Sequence, residues 1–266
     1  MERKDVNYDS FKIKLNENSS IKHVIAVMSG KGGVGKSSVT SLIANRLNQL
    51  GYKVGIFDAD ITGPSIPEAF GLYENATGSK AGINPEVSRD GVKVMSVNLI
   101  LSNKTDPVVW RSPVVNNVLK QFYSDVNWGE LDYLLVDMPP GTSDVPLTIY
   151  QSLPVDGCVI VTSPQNLVSM IVEKSINMAR MVNVDILGIV ENMSYYKCPD
   201  CGSIHKIFGE GNTKQIAGKY GISTVCELPI NPKIAQKIDN GQVEDLEITA
   251  LDDIINNIKN LDNKAE

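Results

Sequence analysis

From about residue 21 onward, short apolar runs alternate with longer amphipathic stretches. The runs HVIAVMS (23–29), KVGIFDAD (53–60), VKVMSVNL (92–99), DYLLVDM (132–138), GCVIVTS (157–163), ILGIVEN (186–192) and STVCELP (223–229) have the length and β-branched content of buried strands. Between them lie helix patterns: SSVTSLIANRLNQLG, closed by Gly51, then SPVVNNVLKQFYSDV, VPLTIYQSL and the long NLVSMIVEKSINMARMV. KIAQKIDNG and TALDDIINNIKNL complete the chain as two further helices. This alternation predicts a doubly wound α/β domain over residues 21–266, a mainly parallel β-sheet flanked by helices. The first 20 residues are polar and read as a loose arm. Residues 62–90, rich in Gly, Pro, Ser and Asn, read as a long loop with at most a short helix.

Composition narrows the function. Apolar residues make up 42% and charged residues 21%, as in an ordinary globular protein. With 25 basic against 31 acidic side chains the net charge is −6, the wrong balance for a chain that binds phosphate backbones, so no nucleic-acid partner is expected. The amino terminus lacks the apolar core of a signal peptide, and no run approaches the roughly 18 apolar residues of a spanning helix. A cytoplasmic protein with no membrane partner is expected. In that compartment the four cysteines are thiols or metal ligands rather than disulfides. Cys158 and Cys226 fall inside strands and read as structural, whereas Cys198 and Cys201 have ligand spacing.

In an open parallel sheet, ligands bind beyond the carboxyl ends of the strands, and the chemistry-bearing residues cluster there. MSGKGGVGKSS (28–38) follows a strand and opens a helix, and Gly30, Gly35, Lys36 and Ser37 satisfy the P-loop pattern GxxxxGK(S/T). Gly32, Gly33 and Gly35 let the backbone approach phosphate, and Val34 and Ser38 complete the cradle. Lys36 reaches the β- and γ-phosphates of ATP, and the Ser37 hydroxyl ligates Mg²⁺. Two further strands end in carboxylates, Asp58 and Asp60 on one and Asp137 on the other, with Asp137 in the Walker B place. Lys31 is one lysine more than this loop needs.

That extra lysine makes KGGVGKS resemble the deviant P-loop of the MinD/ParA/nitrogenase-iron-protein group. The resemblance implies a homodimer with ATP held between two chains, Lys31 reaching the nucleotide of the other subunit. It also implies that Asp60 orients the attacking water, Asp58 supports the Mg²⁺ shell, and Pro140 and Gly141 sense the γ-phosphate. Lys31, Lys36 and Asp60 are the expected catalytic residues.

The second informative stretch is ENMSYYKCPDCGSIHKIFGEG, where Cys198 and Cys201 bracket Pro199 and Asp200. A lone CxxC is half a zinc knuckle, a redox pair or nothing. A tetrahedral zinc site or an iron-sulfur cluster needs four ligands, and one chain supplies two, so a symmetric dimer would place two pairs around one bridging site. His205, four residues on, is a further candidate ligand.

KGGVGKSS, DADITGPSIP, VVWRSPVV, DYLLVDMPPGTSD, NMSYYKCPDCG, IFGEG and LPINPKIAQKIDNG follow one another as in the Mrp/ApbC family of P-loop iron-sulfur cluster carriers, a resemblance covering roughly residues 20–245. It implies that Cys198 and Cys201 bind a bridging [4Fe-4S] cluster delivered to apo iron-sulfur proteins by a weak ATPase. Asn192 would then contact the adenine and Pro229 wall the base pocket, with the cluster-binding segment inserted at about 192–212. Some family members carry an extra domain or a cysteine-rich segment before the P-loop; this sequence shows neither, so no second cluster is expected. Its Gly211-Asn212 departs from the usual FGxGG, and Trp110-Arg111 has no assigned role. The alternatives are a zinc-bridged P-loop ATPase and a MinD/ParA-like positioning ATPase, the latter disfavoured by the acidic charge and by Asp252 and Asp253 in the last helix. An electron donor like the nitrogenase iron protein would place single cysteines on separate segments rather than a CxxC pair.

Overall fold

The computed structural model describes residues 12–61, 63–80, 82–101, 110, 112–165 and 169–264. The strands are β1 (Ser20–Met28), β2 (Val54–Asp58), β3 (Thr77–Ser79), β4 (Gly82–Asn84), β5 (Glu86–Val87), β6 (Lys93–Met95), β7 (Glu130–Asp137), β8 (Gly157–Thr162), β9 (Asp185–Lys197), β10 (Ile204–His205) and β11 (Val225–Pro229). The helices are α1 (Lys36–Gln49), α2 (Ile66–Ala69), α3 (Ser112–Ser124), α4 (Asp144–Ser152), α5 (Ser169–Met181), α6 (Thr213–Lys219), α7 (Pro232–Asp239) and α8 (Asp252–Lys259).

Among the described residues, the central sheet runs β11-β9-β8-β1-β7-β2-β6, parallel throughout, with β5 antiparallel on one edge and β10 antiparallel to the end of β9. Central strands such as β7 are nearly continuous apolar runs because helices cover both faces. Successive β1 residues feed opposite cores: Val24, Ala26 and Met28 point into one, Ile25 and Val27 into the other. Ile254, Ile255 and Ile258 of α8 are buried in the second core, so the apolar face of this last helix is used within the domain. No described helix is long and apolar enough to cross a membrane.

All seven expected strands are present, and the parallel α/β class with them. β6 is shorter than expected, its last residues turning into a 3₁₀ segment at Val97–Leu99, and β9 is longer, running through Asn192 as far as Lys197. Residues 62–90 are not one loop: besides the short α2 they form the β3–β4 hairpin and β5. Polar Gly/Ser/Asn strands lack the apolar alternation that marks a strand in sequence, so this hairpin is silent there. Residues 12–19 are not loose either: Ile13 donates its N–H to the Ser152 carbonyl at 2.8 Å, and Ile13 and Leu15 pack on the core. Helix α6 was also unexpected, a seven-residue helix too short to show a period.

Candidate nucleotide site and cysteine hairpin

Parallel strands bring every carboxyl end to one edge of the sheet. β7 lies between β1 and β2, and its register sets Asp137 beside Val27 on one side and Asp58 on the other. The P-loop, Asp58 and Asp137 therefore converge from three adjacent strands. Gly33 and Gly35 take left-handed φ values of 81° and 79°, which only glycine adopts freely, and the turn at Gly35 delivers the chain into α1 with its N-terminus facing the loop. A Cβ at Gly35 would collide with the Asn192 amide, and one at Gly30 with Ile171 of α5. Gly35 is thus required by close packing as well as by backbone angle, Gly33 by angle alone and Gly30 by packing alone.

Asp137 is the hub. It is fully buried and accepts hydrogen bonds from Lys36 Nζ, Ser37 Oγ and Thr40 Oγ1, each at 2.6 Å. Lys36 lies 3.9 Å from Asp60 Oδ2 as well, so its ammonium sits between two carboxylates. Lys36 thus points at the Walker B carboxylate, and an arriving triphosphate would have to draw it away. Asp58 accepts from Ser96 Oγ at 3.0 Å and from the Asp60 N–H at 3.2 Å. Burial and then the neighbouring Asp137 push the Asp58 carboxyl well above the usual carboxylate range, against the pull of Lys36 and Ser96. The Gly141 N–H donates to Ser29 at 2.8 Å, tying the loop after β7 to the P-loop. Lys31 is exposed, its side chain outside this network.

Two cavities meet at the loop. One of about 230 Å³ is lined by Gly32, Gly33, Lys36, Ser37, Asp60 and Pro140, a cradle sized for phosphates. The other, about 310 Å³, shares Gly33, Gly35 and Ser38 with it and continues between Asn192 and the segment Leu228–Pro232. A polar cradle opening into an apolar slot suits a nucleoside triphosphate, and the residues present fit ATP with Mg²⁺: Lys36 and the loop N–H groups for the phosphates, Ser37 and Asp137 for the cation, Asn192 and Pro229 for the base. The Asn192 amide is oriented by donating to the Val34 carbonyl at 3.0 Å.

Asn192 owes its direction to an irregularity in β9. Glu227 and Pro229 of β11 pair with Glu191 and Tyr195, so β9 carries two extra residues across that interval. Met193, inside this bulge, has φ 57°, a costly conformation for a side chain of its size. Just before it, the buried Glu191 carboxylate accepts from Ser194 Oγ at 2.7 Å and from the Thr213 hydroxyl, fixing the start of α6 to β9. Gly211 packs so tightly on that carboxylate that a Cβ would overlap it.

Beyond the bulge, β9 carries the cysteines out of the sheet. Lys197 pairs with Ile204 and Tyr196 with His205, and the turn between them holds CPDCGS. The Cys198 N–H donates to Ser203 and the Gly202 N–H to Cys198, both at 2.9 Å. Cys198 is half-buried and Cys201 exposed. Hydrogen bonding with Ser203, side chain first and backbone second, lowers the Cys201 thiol to about 7, while burial pushes the Cys158 thiol up to about 12. No group of three or more His, Cys, Asp or Glu able to hold a metal ion occurs among the described residues, so none of these gives the pair a third ligand; His205 is exposed on β10. Trp110 packs against the core, and Arg111 lies outside the described residues.

Sequence reasoning missed Thr40, Ser96, Glu191 and Thr213. Thr40 had a signal, a polar residue one helical turn after Lys36 on the buried face of α1, and Glu191 had another, a charge ending an apolar run.

The family model described as ParA, NUBPL iron-transfer P-loop NTPase, matches residues 20–261. An iron-sulfur cluster carrier protein of Clostridium perfringens is 46% identical over 241 residues, covering 87% of this chain and 84% of the relative. The cytosolic Fe-S cluster assembly factor CFD1 of Saccharomyces cerevisiae is 42% identical, over 84% of this chain and 78% of its own. Among solved structures, a nucleotide-binding protein from Archaeoglobus fulgidus in complex with ADP superposes with a TM-score of 0.78 at 45% identity, covering 87% and 91% of the two chains. The cell division ATPase MinD of Pyrococcus furiosus superposes at 0.63 with 18% identity over 92% and 100%, a likeness of fold.

Proposed function

The chain belongs to the NUBPL iron-transfer P-loop NTPase family, and on that premise we propose that it is an ATP-binding, slowly hydrolysing carrier that holds a [4Fe-4S] cluster between two subunits and passes it to apo-proteins. The observation that carries this reading is a single strand: β9 bears Asn192 at the nucleotide slot and ends at Lys197, directly before Cys198, so one element joins the site for ATP to the site for cargo.

Each cysteine pair supplies two thiolates, and a second copy supplies the other two. Lys31, exposed beside the phosphate cradle, is the lysine contributed to the partner's nucleotide. When bound, Mg²⁺-ATP supplies the scissile phosphoanhydride and the cation that balances its charge. The chain's own contribution is positional. The glycine loop holds the phosphates, Lys36 and the partner's lysine balance negative charge, Asp60 orients a water, and Asn192 and Pro229 hold the base. Asp58, its carboxyl pushed well above the usual range by burial and by the neighbouring Asp137, supports the cation shell by hydrogen bonding. The yeast relative is a cytosolic Fe-S cluster assembly factor, and we assign this chain to the cytoplasm as well.

The test is anaerobic reconstitution with iron and sulfide, counting metal per chain for wild type and for Cys198→Ala/Cys201→Ala. About two irons per chain, lost in the variant, is expected for one four-iron cluster per dimer. Zinc alone, or iron indifferent to these cysteines, would sink the carrier reading and leave the zinc-bridged ATPase.

A further inference from the structure

A third cavity, of about 550 Å³, opens beside the cysteine hairpin; Tyr195, Tyr196, Lys197, Cys198, Ile230 and Lys233 are among its walls. Resting on the reading that the cysteines carry a cluster, we propose that this cleft receives an acidic, cysteine-bearing segment of the acceptor protein, and that Cys198 is the ligand exchanged there.

Three observations converge. The two cysteines are not equivalent: Cys198 is half-buried on the cleft wall, whereas Cys201 is exposed and not among the cleft's lining residues. The cleft is bracketed by Lys197 and Lys233, both exposed, and neither makes an ion pair among the described residues. In a chain of net charge −6, two uncompensated cations beside a cysteine form a local field for an anionic partner. The floor is also preformed: Ile230 donates its N–H to the Tyr195 carbonyl at 2.6 Å, and the Asn231 side chain caps α7 through the Lys233 N–H. A volume of this size holds a few residues of extended chain, with the half-buried tyrosines as an apolar floor.

The chemistry is a ligand exchange. The acceptor thiol gives up its proton, its sulfur bonds to iron as the iron–Sγ bond to Cys198 breaks, and Cys198 takes up a proton. No oxidation state changes. Lys197 and Lys233 favour the incoming thiolate by their charge. Pro229, Ile230, Asn231 and Pro232 line both this cleft and the base slot, so nucleotide contacts one face of the segment whose other face meets the acceptor.

Two probes test this on the full chain. Against metal-free protein, the peptide acetyl-Asp-Glu-Ser-Glu-Asp-amide is titrated while backbone amide shifts are followed; perturbations at 195–198 and 230–233 are expected, abolished in Lys197→Glu/Lys233→Glu and kept in the remote Lys80→Glu. Against iron-loaded protein, the cysteine form of that peptide should remove iron about tenfold faster than a lysine-flanked cysteine peptide, with the preference reversed in the double variant. Loaded protein that yields iron to both peptides at one rate, or shifts mapping elsewhere, overturns the cleft and leaves the carrier function standing. A wild type that takes up no iron overturns the carrier function, and the metal-free titration then decides the cleft alone.

Discussion

The two sites that β9 joins are built on opposite terms. At the nucleotide site polar groups are buried and saturated: Lys36 is 6% exposed, Asp137 is fully buried, and three donors crowd one carboxylate. At the cysteine site the turn rests on two backbone hydrogen bonds and faces solvent. Phosphate binding gains from loop N–H groups fixed before the ligand arrives, even though Lys36 must first leave its carboxylate. A cargo that must leave gains from the reverse, ligands on a projecting turn that a competitor can reach. The contrast teaches that one strand can hold a rigid site and a yielding one, provided something separates them.

The contrast can be broken most severely at Lys36. Lys36→Ala leaves the buried Asp137 carboxylate without its counter-charge, only the Ser37 and Thr40 hydroxyls remaining on it, so a stability loss of about 3–5 kcal/mol in urea unfolding is expected, alongside ATP hydrolysis lowered at least about 100-fold. Iron uptake should survive, with transfer to an apo-protein slowed; equal transfer would remove ATP from the mechanism. The mirror-image change, Cys198→Ala/Cys201→Ala, should abolish iron binding yet shift the thermal midpoint by less than about 2 °C, because neither thiol is part of the core.

Smaller effects sharpen the comparison. Asn192→Ala removes one oriented amide and should raise the KM for ATP about fivefold with kcat nearly unchanged, consistent with a contact worth about 1 kcal/mol. In metal-free protein, iodoacetamide should modify Cys201 with a rate that is half-maximal near pH 7: below that pH the thiol is protonated and unreactive, above it the thiolate dominates. Ser203→Ala should move that midpoint upward, and Cys158, held protonated to about 12, should stay unmodified in the native protein. Smallest of all, Met193→Gly should stabilise the fold by less than about 1 kcal/mol, since glycine adopts the positive φ without strain.

Much of this was legible in the chain. The seven strands announced themselves because parallel strands buried on both faces are written as unbroken apolar runs, and the P-loop because phosphate cradles need glycines at fixed intervals. The β3–β4 hairpin and α6 were hidden for the converse reason: one has a single apolar side chain, Ile83, in its two short strands, and the other is shorter than two turns of its own period. Thr40 and Glu191 each carried a local signal, a polar residue in an apolar setting, but not its partner, which lies far along the chain, Asp137 for the first and Thr213 for the second. Likewise, the sequence gives CxxC as two equal cysteines; only the position of the Pro229–Lys233 segment makes Cys198 the walled one.

The bulge in β9 has a consequence in parity. Strand side chains alternate between two faces, and a surplus of two residues, being even, returns the chain to the alternation with which it entered. Tyr195 therefore resumes the phase set at Glu191, and the cysteine turn leaves the sheet in the orientation the core dictates. Deleting Met193 would invert that phase and turn the hairpin over, carrying the thiols to the far face with the hydrogen bonds of Lys36, Ser37 and Thr40 to Asp137 intact. An even insertion is thus the kind of change a family can accumulate here, and an odd one is the kind it cannot.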